Sequence, residues 1–249
     1  MKRLRVLMTR EEIVPDRLAG ATAVVVDVFL ATTTLLTILE NGARRVFPVA
    51  SLEEAESAQE KLGATKNVLR GGEQNSERIE GYDLGPFPEE YPPETVADRD
   101  VVFVTTNGTR AIADAAPAER VLLGCLRNSS AVARYLEELG TDSVYLICAG
   151  SAGRFTVEDF LGAATIISSM DTEGWRLNDS AWIALDFMQR YRGREIEALK
   201  QSWAGRWFFE HDRVDVFEFV GELDASDLVP EVRASQLARG NRLRASENL

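Results

Sequence analysis

A chain of 249 residues, 45% hydrophobic and 27% charged, has the length and composition of a folded globular protein with a substantial core, which excludes a disordered or fibrous one. Its formal net charge of -12 disfavours nucleic acid and anionic membranes as partners. No run approaches the ~20 apolar residues of a membrane span, and the N-terminal MKRLRVLMTREE lacks the apolar stretch of a signal peptide, so a cytoplasmic protein is expected.

Taken in chain order, the first two thirds alternate β-rich and amphipathic runs. Ala21–Val28 (ATAVVVDV) is an apolar run that reads as a buried strand. Thr33–Asn41 reads as a helix closed by Gly42, and Arg45–Val49 as a strand. A capping box, Ser51 with Glu54, opens a helix that Gly63 ends. Asn67–Leu69 is a short strand. Gly71–Pro93 has little periodicity and reads as a long loop, a kind that is often functional. Asp100–Thr105 is a strand, Gly108–Ala115 a helix, and Arg120–Gly124 a strand. Asn128 or Ser129 caps a helix ending at Gly140, Ser143–Cys148 is a strand, and Thr156 caps a helix to about Met170.

This alternation predicts an α/β fold with a mainly parallel or mixed sheet covered on both faces. One domain over residues 1–249 is expected, with a helical C-terminal third (about 171–249) packed on it. There, Asp179–Arg192 and Arg194–Trp203 read as helices, Val214–Val220 fits helix or strand, and the polar Arg233–Leu249 is expected to fray. Trp203 and Trp207, at helical spacing, are packing residues; they could serve the core or a homodimer contact.

The rarest residues narrow the chemistry. The single histidine, His211 in FFEHDR, lies far in sequence from every polar cluster and reads as a surface or helix-end residue. Mechanisms that need a positioned imidazole are therefore disfavoured. Cys125 and Cys148 end apolar runs and read as reduced core residues. Carboxylates, hydroxyls, arginines and a hard cation remain.

In an open α/β sheet, ligands bind beyond the carboxyl ends of the strands. Those junctions here carry small hydroxyl or glycine residues: Thr32, Thr33 and Thr34; Thr105, Thr106, Asn107, Gly108 and Thr109; Asn128; and Gly150–Gly153. Such residues cap helices in any protein, but several on one sheet, with Arg110, Arg127 and Arg154 close by, point to an anion site. Asp27 sits inside an apolar run, where an ionised group is costly unless paired or metal-bound. Glu73 follows Gly71-Gly72, Asp83 lies in the long loop, and Glu158 and Asp159 fall in a first helical turn. Asp27, Glu73 and Asp159 are the catalytic candidates. Those three with Asp83 and Glu158 are the metal-ligand candidates, and all-oxygen ligands suit Mg²⁺.

No P-loop, dinucleotide fingerprint or GxSxG elbow is present. VVVDVFLATT is superficially similar to the haloacid-dehalogenase Asp-x-Asp strand, but Phe29 replaces the second acid. The segments VVVDVFLATTTLLTILENGARRVFPV, GGEQNSERIEGYDLGPFPEE, VFVTTNGTRAIADA, GCLRNSSAVA and CAGSAGRFTVEDFLGAA together resemble the 2-phosphosulfolactate phosphatase family of coenzyme M biosynthesis. They cover most of residues 22–165 in the family's order, and DLVPEV adds a weaker match. Many members of that family look like DVLRATTT and GGER, where Leu30 and Gln74 stand here. The resemblance implies a three-layer α/β/α fold, a Mg²⁺ requirement and hydrolysis of (2R)-2-phospho-3-sulfolactate to 3-sulfolactate and phosphate. Two alternatives stay open: a phosphatase of another small phosphorylated hydroxy-acid, and a non-catalytic anion-binding protein of the same fold.

Overall fold

The computed structural model describes residues 1–63 and 67–240. In chain order the elements are β1 (Arg3–Leu7), α1 (Pro15–Leu18), β2 (Thr22–Val26), α2 (Ala31–Glu40), β3 (Arg45–Val49), α3 (Leu52–Leu62), β4 (Val68–Gln74), β5 (Glu77–Arg78), α4 (Pro93–Val96), β6 (Asp100–Val104), α5 (Gly108–Asp114), β7 (Arg120–Gly124) and α6 (Ser129–Leu139). There follow β8 (Ser143–Cys148), α7 (Val157–Ser168), β9 (Arg176–Leu177), α8 (Asp179–Tyr191), α9 (Glu195–Gln201), α10 (Trp203–Glu210), α11 (Val214–Gly221), β10 (Pro230–Arg233) and β11 (Gln236–Arg239).

The strands form one mixed, mostly parallel sheet in the order β5-β4-β6-β3-β11-β10-β7-β2-β8-β1-β9. β4, β6 and β3 pair in parallel, as do β7, β2, β8, β1 and β9. The β10–β11 hairpin joins these two groups by antiparallel contacts to β7 and β3. All five residues of β2 are buried, as expected of a strand covered on both faces.

Alternation along the strands sorts the helices into layers. Ala23, Val25, Val101 and Phe103 share one core with Leu35, Leu36 and Ile38 of α2 and Ala111 and Ile112 of α5. On the opposite face, Val24, Val26, Leu122 and Leu146 pack against Val132 and Leu136 of α6 and Ala163, Ile166 and Ile167 of α7. Val102 turns to that face too and meets Ala55 of α3. The result is the expected three-layer α/β/α fold. α2 touches both β3 and β7, and α5 touches both β3 and β2, so the two groups of strands share their inner helices.

Two expectations are corrected and one open reading is settled. The long loop begins as structure: β4 runs through Gly71, Gly72 and Glu73 and turns back into β5. Gly72 adopts φ +119°, and a Cβ there would overlap the Val104 carbonyl, so only glycine lets β4 lie this close to β6. The ambiguous Val214–Val220 run is helix α11, whose Val216, Phe217 and Val220 are buried. Arg233–Arg239 does not fray, since it forms most of the hairpin in the middle of the sheet; residues 241–249 lie outside the described ones. The hairpin escaped notice because its turn, Ala234-Ser235, takes positive φ at both positions without the usual glycine or asparagine. Buried Glu231 stabilises it, gripped by Arg120 at 2.7 Å and Arg233 at 2.6 Å.

Candidate active site

Asp27 directly follows β2, and buried polar contacts set its surroundings. Its backbone N–H donates to Thr32 Oγ1 (3.0 Å), which lies 2.7 and 2.8 Å from the carbonyls of Asp27 and Gly124. Thr33 donates to the Val28 carbonyl (2.9 Å) and Thr34 to the Pro86 carbonyl (2.7 Å). These hydroxyl protons are committed to backbone carbonyls, so Thr32–Thr34 shape the loop rather than present a phosphate cradle. Among the described residues, the Asp27 carboxylate accepts only a 3.3 Å bond, from the Ala31 N–H. Across from it lies Gly108, where any Cβ would overlap Asp27 Oδ2 and Ala31 Cβ. The ends of β2 and β6 thus meet at Asp27.

The β6 end is a tight turn. Thr105 Oγ1 accepts the Thr109 N–H (3.1 Å), and Thr109 Oγ1 accepts the Thr105 N–H (2.9 Å). Glu73 holds the turn from β4: its oxygens accept the Thr106 N–H (2.5 Å), the Thr106 hydroxyl (2.8 Å) and the Ser76 N–H (2.7 Å). Beside it is a pocket of about 190 Å³ lined by Ser51, Glu73, Gln74, Thr105, Thr106 and Arg110, among others. Asn107 Oδ1 accepts the Ala152 N–H (3.3 Å), linking this turn to the Gly150–Arg154 turn, where Arg154 is exposed.

Asp159 ties the third segment in. One of its oxygens accepts the Val28 N–H (2.9 Å) and the other the Gly150 N–H (3.0 Å). Glu158, one residue earlier, is buried, and its Oε2 has no hydrogen-bond partner among the described residues. The acids repel one another in a dry setting. Burial first, then Glu73 and Glu158, push Asp27 up to about 7 against the pull of the Ala31 N–H. Burial, Asp27 and Glu158 push Asp159 well up. Burial also raises Glu158, opposed by its own backbone N–H, by the Ser202 hydroxyl and by Arg206.

Other candidates lie elsewhere. Arg127 is buried in a structural contact, stacked on Phe219 at 3.8 Å and donating to Glu222 (2.6 Å) and the Phe219 carbonyl (2.8 Å). Asn128 accepts the Cys125 N–H (2.9 Å) and donates to the Leu123 and Leu228 carbonyls (3.2 and 3.0 Å), so its polar groups are consumed by the fold. Asp83 is exposed and caps the Arg70 N–H (2.8 Å). His211 is exposed at the end of α10, and Cys125 and Cys148 are buried free thiols. Sequence reasoning missed Ser202 and Arg206, whose hydroxyl and charge favour the ionised form of Glu158.

Among the described residues no three of His, Cys, Asp and Glu form a ready-made metal cage. Mg²⁺ needs none, as one or two carboxylates with waters and substrate oxygens suffice. Asp27, ionised only against its surroundings, and the unpartnered Glu158 Oε2 fit such a cation. The sequence profile of a family described as 2-phosphosulpholactate phosphatase matches residues 7–235. The chain belongs to the 2-phosphosulfolactate phosphatase family. Similar family proteins include a probable 2-phosphosulfolactate phosphatase of Caldanaerobacter subterraneus subsp. tengcongensis, 36% identical over 211 residues, 84% of this chain and 87% of that one. One of Symbiobacterium thermophilum is 36% identical over 89% of this chain and 95% of its own. A Clostridium beijerinckii protein with the same description is 38% identical over 67% and 69%. The family's shared region thus takes in Asp27, Glu73, the Thr105–Thr109 turn and Glu158, and also Ser202 and Arg206. No helix among the described residues is long and apolar enough to cross a membrane.

Proposed function

We propose that the chain is a cytoplasmic, Mg²⁺-dependent phosphatase that hydrolyses (2R)-2-phospho-3-sulfolactate to 3-sulfolactate and phosphate. The observation that carries this reading is the buried pair of Asp27 and Glu158 near the carboxyl end of β2, within a chain of this family. Asp27 and Glu158 would hold Mg²⁺, which when bound supplies charge neutralisation at the phosphoryl oxygens. The Thr105 hydroxyl, the Asn107 amide and Arg154 hold the phosphoryl group, and Glu73 keeps their turn in place. Arg110, which has no ion pair among the described residues, orients the acidic end of the substrate. Water attacks phosphorus, the bond from phosphorus to the C2 oxygen breaks, and that oxygen takes up a proton. Positioning and charge neutralisation supply most of the rate.

Phosphate release from a panel of small phosphorylated hydroxy-acids tests the proposal. Phosphosulfolactate should be the best substrate, with activity lost in EDTA and restored by Mg²⁺. Preference for another phosphorylated hydroxy-acid would move the substrate assignment. Binding of these acids without release from any of them would favour the non-catalytic reading.

A further inference from the structure

The carboxyl ends of β4, β6 and β3, neighbours in the sheet, frame the pocket of about 190 Å³ beside the Thr105–Thr109 turn. β6 contributes Val104, Thr105 and Thr106, β4 contributes Glu73 and Gln74, and the β3–α3 junction contributes Ser51. Thr105 lines this pocket, and Gly108, three residues on, abuts the Asp27 carboxylate. The pocket and the acid therefore stand on one turn.

Most polar groups of the wall are engaged. Glu73 accepts three donors from Thr106 and Ser76. Thr106 Oγ1 donates to Glu73 and accepts the Asn75 N–H at 2.7 Å. Ser51 Oγ accepts the Glu54 N–H at 3.2 Å. Two side chains stay uncommitted. Among the described residues the Gln74 side-chain amide makes no hydrogen bond, and Arg110 makes one, a long bond of 3.4 Å from Nε to the Ala50 carbonyl. An amide and a guanidinium with N–H groups to spare, lining one pocket, suit an oxyanion. Arg110 is the one cation among the described lining residues, and Glu53 and Glu73 line the pocket with it. It balances a single negative charge; a second would stand unpaired near those acids.

We propose that this pocket seats the sulfonate of the substrate and that Gln74 is its specificity-determining residue, accepting a singly charged tail and rejecting a doubly charged one. This rests on the phosphatase reading above. In phosphosulfolactate the sulfur is one bond farther from phosphorus than the carboxyl carbon is, so the sulfonate is the group that reaches a pocket set off from Asp27. Gln74 and Arg110 donate to its oxygens. The neutral amide keeps the wall at one positive group.

Charge variants of the full chain test it, because Gln74 is exposed and its replacement leaves the core untouched. Phosphate release is measured with Mg²⁺ on phosphosulfolactate, on phospholactate, which lacks the tail acid, and on the phosphonate analogue, whose tail gains a second charge at alkaline pH. Gln74→Glu is expected to lower the preference for phosphosulfolactate over phospholactate, as a ratio of kcat/KM, by at least ~10-fold. The loss should lie in KM, with kcat on phosphosulfolactate changed less than about threefold. Gln74→Lys is expected to raise the phosphonate-to-sulfonate ratio at alkaline pH by a similar factor. Ratios unchanged in both variants would overturn the proposal. A wild-type chain that releases no phosphate from any of the three removes the phosphatase reading instead. Calorimetry with sulfolactate then decides on the pocket by itself: affinity weakened ~10-fold in Gln74→Glu upholds it, and equal affinity, or no binding to the wild type, overturns it.

Discussion

Asp27 is buried at the end of β2, near Glu73, Glu158 and Asp159, and receives one long hydrogen bond among the described residues. Its carboxyl is raised to about 7, whereas an unfolded aspartate ionises near ~4. Between those two values the folded chain binds more protons than the unfolded one. In the metal-free protein Asp27 therefore lowers stability as pH rises from about 4 to about 7. Thermal melts in EDTA should show that decline, and Asp27→Asn should flatten it. The same variant should keep its circular dichroism yet lose ~10²–10⁴ in kcat; near-normal turnover would remove Asp27 from the chemistry. Asn128 should behave in the opposite way. Asn128→Ala leaves the buried Cys125 N–H and the Leu123 and Leu228 carbonyls short of partners. It should cost about 1–3 kcal/mol in urea unfolding, with kcat of the folded fraction retained.

At the scale of elements, the site depends on how closely turns approach one another. The α5 turn meets Asp27 through Gly108, a glycine because the acid and Ala31 fill the space a side chain would need. Gly108→Ala should push the turn away from Asp27 and lower kcat by at least ~10-fold, a loss of about 1.4 kcal/mol in barrier stabilisation. Steady-state kinetics with a parallel melt would separate this from unfolding. Helix ends show how far apart such partners can be. The α6 N-terminus receives no side-chain cap from Asn128. Instead Asp224 accepts the Ser130 N–H (2.7 Å) and both the Ser129 and Ser130 hydroxyls (2.8 and 2.6 Å). The sequence marked where α6 begins but expected Asn128 or Ser129 to cap it; Asp224, far along the chain, does so.

For the whole molecule, the C-terminal hairpin is the joint between two groups of parallel strands, and Leu237 pairs with Val46 at that joint. Leu237 is buried in the inner core. Leu237→Ala should cost about 2–5 kcal/mol and lower Tm while the strands on either side keep their own pairings. The net charge of -12 also bears on the whole chain. A cation bound at Asp27 must displace a proton there, so its effect grows with pH. The rise in Tm on adding Mg²⁺ should be larger at pH 8 than at pH 5. Equal rises at both would place the cation elsewhere on the acidic surface.

The sequence by itself determined the α/β alternation, the strands β2, β3, β6, β7 and β8, and the anomaly of Asp27. Each of these is written in local hydrophobic periodicity, because burial of one face leaves its mark every two or every 3.6 residues. Tertiary structure alone decided which polar groups were still free for chemistry. Thr32–Thr34 and Asn128 are of the right types and stand at strand ends, yet backbone carbonyls take up their donors, and Arg127 is drawn to Glu222 and Phe219. A hydrogen bond is short and directional, so its partner is chosen by distance in space, and spacing along the chain does not record it.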